Sequence, residues 1–115
     1  MRYFFVVLFL LFLANTSTSR AGSVSSQTIL VEKTKLNILL VSMKFINNTG
    51  IPYKDMELVC EIFGDSGTSF GKKEETIYKI VPEHSELIVG DINMGFVNSQ
   101  VDVSKTKCRV EGISR

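Results

Sequence analysis

From position 22 onward the chain reads as an all-β fold, a small antiparallel sandwich of six or seven strands. Three observations predict it. Short segments alternate apolar and polar residues with a period of two. Turn signals recur at about ten-residue spacing, as in sandwiches. No segment carries a helical pattern long enough for a βαβ crossover, which argues against a parallel α/β sheet.

The first 21 residues read as a cleavable signal peptide. Arg2 is the sole charge of a short n-region, and Tyr3 to Leu13 is an unbroken apolar run of 11 residues. A permanent membrane helix needs about 20 apolar residues, whereas an h-region needs about 7–15. Ser19-Arg20-Ala21 places small residues at −3 and −1, so cleavage is expected after Ala21. No cysteine follows the h-region, so no lipoprotein anchor is expected.

Gly22 to Gln27 is small and polar and is expected to be a flexible lead-in. Residues 28–115 then form one domain. Thr28 to Lys33 is a short first strand. Leu36 to Asn47 is the longest candidate, with Leu39, Val41, Met43 and Phe45 on one face. Asn47-Asn48-Thr49-Gly50 is a turn, because Asn and Gly tolerate positive φ. Met56 to Phe63 follows, with Met56, Leu58, Cys60 and Ile62 on its apolar face. Gly64-Asp65-Ser66-Gly67 turns the chain, and a polar hairpin tip is expected up to Glu74. Glu75 to Val81 is a strand that Pro82 ends. Glu86 to Met94 is another, with a break expected at Gly90. Gly95 to Ser104 reads as a loop or one helical turn. Thr106 to Gly112 closes the fold, with Cys108 and Val110 on one face.

Loss of the leader removes Arg2 and Arg20, leaving 11 basic (13 − 2) against 12 acidic side chains, a net of −1. That balance gives no steering toward nucleic acid or an anionic membrane. Lys72-Lys73-Glu74-Glu75 is self-neutralising and reads as an exposed turn. Both cysteines, Cys60 and Cys108, lie in the mature part. An exported chain meets an oxidising compartment, where a structural disulfide is expected. Their shared inward parity allows a bond between sheets or between neighbouring strands. Two buried thiols or a redox pair are the alternatives.

Residues 44–112 resemble the FxLYD-type immunoglobulin-like domains of bacterial exported proteins. Phe45-Ile46-Asn47-Asn48-Thr49-Gly50 is similar to the family's hydrophobic strand ending in an Asn-x-Ser/Thr turn. Met56 through Gly67 is similar to its strand running into an Asp-x-Gly turn, although Cys60-Glu61-Ile62-Phe63-Gly64-Asp65 has one residue more than the signature. Ile80-Val81-Pro82-Glu83-His84-Ser85 is similar to its Leu-x-Pro-Gly-Glu-Ser turn, with Glu83-His84 in place of the glycine. The resemblance implies an immunoglobulin-like sandwich with an accessory or interaction role rather than a catalytic one.

No residue set points to chemistry. His84 is the sole histidine, and zinc or copper sites usually need two or more imidazole or thiolate ligands. It reads as an exposed turn residue. A Cys–His nucleophile pair needs a reduced thiol and a third orienting group. No serine sits in a Gly-x-Ser-x-Gly turn. Neither catalytic, cofactor-binding nor metal residues are therefore expected. Asn47-Asn48-Thr49 is a glycosylation sequon whose use depends on the source. Phe70, flanked by Gly67 and Gly71, is the candidate partner contact, either as an exposed anchor or folded back over the end of the sandwich.

The expectation is a secreted or periplasmic, non-enzymatic module that presents loops or a sheet edge to a protein partner, with no cofactor, no nucleic acid and no membrane after cleavage. An effector acting on a host or competing cell carries the same signature. A thiol-dependent redox or metal-binding protein is the third reading.

Overall fold

The computed structural model describes residues 24–115; the expected leader lies outside the described residues. Six strands are present: β1 (Val24–Lys33), β2 (Ile38–Asn47), β3 (Tyr53–Phe63), β4 (Ser69–Val81), β5 (Ser85–Phe96) and β6 (Lys107–Ser114). They form two three-stranded antiparallel sheets, β1-β2-β5 and β4-β3-β6. A single turn of 3-10 helix, Val103–Lys105, precedes β6. The predicted all-β sandwich is thus the fold, with six strands.

The core is where the two central strands face each other. β2 contributes Leu39, Val41, Met43 and Phe45, all without exposure. β3 contributes Met56, Leu58, Cys60 and Ile62. These are the inward sets that period two assigns. Each large apolar side chain so buried contributes about 1.5–3 kcal/mol. Flanking strands close the layer with Ile77, Val81, Ile92 and Met94.

Several strands run longer than the side-chain pattern indicates, because ladder pairing uses backbone groups and ignores side-chain polarity. Val24 to Gln27, expected to be a flexible lead-in, pair with Lys44 to Asn47 as the first part of β1. Ser69 to Glu74, expected as a polar tip, are strand residues hydrogen-bonded beside β3. Tyr53 to Asp55, read as connection, begin β3.

Bulges explain where strict alternation fails. Tyr53 and Met56 both face inward although their parity differs, since the register shifts between Lys54 and Met56 and Asp55 takes φ 54°. The break expected at Gly90 is a bulge: Gly90 and Asp91 lie between the pairs Met43–Val89 and Val41–Ile92. Asp91 has φ 48°, and its N–H donates to Ser42 Oγ at 3.1 Å. The shift turns Leu87 and Val89, then Ile92 and Met94, to the same interior.

Candidate interaction surface

Cys60 and Cys108 are bonded to each other. They are direct partners across β3 and β6, with Cα atoms 4.0 Å apart. The bond therefore staples neighbouring strands within one sheet, and the inter-sheet alternative is excluded. Neither cysteine is left as a thiol. His84 is exposed in the turn between β4 and β5, with φ 50°, and its backbone N–H donates to Thr49 O at 3.0 Å. Among the described residues no group of three or more His, Cys, Asp or Glu side chains converges.

Asn47 is the one buried polar residue of the described core. Its Nδ2 donates to Ile51 O at 2.9 Å, Val81 O at 3.2 Å and Pro82 O at 3.1 Å. Its Oδ1 accepts from Thr49 N–H at 2.9 Å and Thr49 Oγ1 at 2.6 Å. The end of β2 is so tied to two of the three crossings between the sheets, those after β2 and after β4. The sequon reading changes accordingly. The nitrogen that would carry a glycan is buried and bonded to three carbonyls, so glycosylation and the native fold exclude each other. The sequence reads Asn47 as the end of a strand and the start of a turn; its burial comes from carbonyl partners at Ile51, Val81 and Pro82.

Phe70 folds back. A β-carbon placed on Gly64 would lie 2.8 Å from the Phe70 ring, so the ring occupies the space that glycine leaves open. Its remaining exposure is 37%. Phe63 is covered from one side by Lys107, whose Nζ stands 5.9 Å from the ring centroid. The Lys72–Glu75 cluster is not a turn. It lies in the edge strand β4, where Lys73 pairs with Cys60 and Glu75 with Leu58; Lys72, Glu74 and Glu75 are exposed and Lys73 is half-buried. Charge along an edge strand discourages pairing with other chains.

Exposed apolar side chains lie on β4, at Tyr78 and Ile80, and on the β1-β2-β5 sheet and its turns, where Leu30, Leu36, Ile88 and Phe96 are exposed. At the end near the β1–β2 turn, Ile38 pairs directly with Phe96, and Leu40 follows on the same face. Phe96 is 68% exposed, and Leu36 in the adjoining turn is 72% exposed. Thr34 Oγ1 accepts from Leu36 N–H at 3.2 Å and Ile38 N–H at 3.1 Å, and Val97 N–H donates to Asn37 O at 2.8 Å. The patch is thus carried on a pinned turn rather than a free loop. Large apolar side chains grouped on a surface mark interaction sites more than scattered ones do. Pairing with β5 sets Phe96 beside Ile38 on this face.

Comparison with family models, with characterised protein sequences and with solved structures finds no match to this chain.

Proposed function

We propose that this chain is an exported, non-enzymatic interaction module of the FxLYD-type immunoglobulin-like kind, which holds a protein partner against the outer face of its β1-β2-β5 sheet. The observation that carries the reading is the cluster of Leu36, Ile38, Leu40 and Phe96 on rigid strands and a pinned turn. Rigid, preorganised apolar anchors lose little entropy on binding. The Cys60–Cys108 bond is compatible with an oxidising compartment, periplasmic or extracellular.

The test is photo-crosslinking in the exporting cell, with a benzophenone side chain at position 96, 70 or 74. A discrete adduct at 96, absent at 74 and competed by purified parent protein but not by Phe96→Asp, supports the reading. An adduct at 70 alone moves the contact to the β3–β4 tip and overturns the sheet-face reading. Equal labelling at all three positions also overturns it.

A further inference from the structure

A second surface feature lies on the other sheet. Pro52, Tyr53, Lys54, Ile80 and Arg115 line an open pocket of about 130 Å³. Its size restricts the occupant. Drug-sized and cofactor sites run from about 300 to 1,000 Å³, whereas a cavity of about 150 Å³ holds a benzene-sized group. The pocket therefore suits one side chain.

Its chemistry restricts the occupant further. Pro52 and Ile80 supply apolar wall, and Ile80 is 62% exposed although it is a large aliphatic on a strand. Lys54 is the direct partner of Ile80 across β3 and β4, so the ammonium rises from the same face. Arg115 is anchored through Nη1 to Thr49 Oγ1 at 3.2 Å and Ile51 O at 3.0 Å. Among the described residues neither Lys54 nor Arg115 belongs to any ion pair; the pairs present are Lys44–Glu86, Arg109–Glu61 and Arg109–Glu111. Two cations with no acidic side-chain partner thus flank an apolar pocket one side chain wide.

We infer that this pocket takes the C-terminal residue of a partner polypeptide, an aliphatic side chain filling it while the terminal carboxylate is held by Arg115 and Lys54. A guanidinium fixed by two hydrogen bonds is preorganised for a carboxylate. The inference rests on reading the chain as a protein binder but not on the surface around Phe96, so the two fail separately. Loss of the crosslink at 96 leaves this pocket untouched.

The test is ¹H–¹⁵N NMR titration of the disulfide-bonded protein with N-acetyl-leucine, N-acetyl-leucinamide and N-acetyl-aspartyl-leucinamide. N-acetyl-leucine is expected to shift the Lys54, Ile80 and Arg115 amides saturably. Loss of the carboxylate in the leucinamide should weaken binding about tenfold, the scale of one charge-assisted hydrogen bond. Lys54→Gln with Arg115→Gln should cost a similar factor, and Ile80→Asp should abolish the shifts, each with the parent's spectral dispersion retained. Equal binding of acid and leucinamide overturns the charge recognition. Equal binding of N-acetyl-leucine and the aspartyl peptide overturns the terminal-carboxylate assignment. Shifts centred elsewhere, or none, overturn the site.

Discussion

Asn47 offers the sharpest test of how this sandwich is held. Asn47→Ala removes the donor that Val81 O and Pro82 O share; Ile51 O keeps Thr49 Oγ1 and Arg115 Nη1. A buried acceptor left without a partner costs about 1–3 kcal/mol. Val81 O is the more deeply buried of the two bonds. Adding the small void gives a loss of about 2–4 kcal/mol. In a domain of this size that lowers Tm by at least about 8 °C, and it is a large share of a total of about 5–15 kcal/mol. Asn47→Asp separates donation from shape. It preserves the volume and the acceptor for Thr49 but sets a carboxylate against three carbonyl oxygens. It is expected to lose at least as much as the alanine variant at pH 7. It should recover partly at low pH, where the protonated carboxyl offers one donor. Far-UV circular dichroism in urea is the suitable assay, because the chain has no tryptophan. An aspartate variant within about 1 kcal/mol of the parent at pH 7 would refute the argument, since side-chain volume alone would then suffice.

Two further outcomes are expected. Opening the Cys60–Cys108 bond, by reduction or by replacing both residues with alanine, should cost about 4 kcal/mol for a loop spanning 48 residues; urea midpoints unchanged by reduction would contradict this. Burial pushes the Tyr53 hydroxyl up to about 12 from its ordinary 10, against a smaller opposing pull from Arg115. Because the folded value is raised, stability is undiminished below pH 10 and falls by about 2 kcal/mol as the pH rises from 10 to 12; Tyr53→Phe should abolish that alkaline loss in pH-dependent urea melts.

Alternation with period two is a local property, and it was legible. It assigned the inward faces of β2 and β3, from Leu39 to Phe45 and from Met56 to Ile62, and with them the inward parity of Cys60 and Cys108. The turns at Asn47–Gly50 and Gly64–Gly67 were equally plain, because their conformations depend on the residues that make them. Which strands pair is not local. Only the tertiary structure decided that Cys60 faces Cys108 within one sheet, that Val24–Gln27 and Ser69–Glu74 are strand, and that Asp55 and Asp91 shift the alternation. Backbone hydrogen bonds do not register side-chain polarity, and a one-residue bulge reverses parity without any apolar signal. The same holds for the surface. Phe96 becomes a neighbour of Ile38, and Lys54 of Ile80, through pairing between segments distant in the chain. The patch and the pocket therefore come into being only when the sheets form.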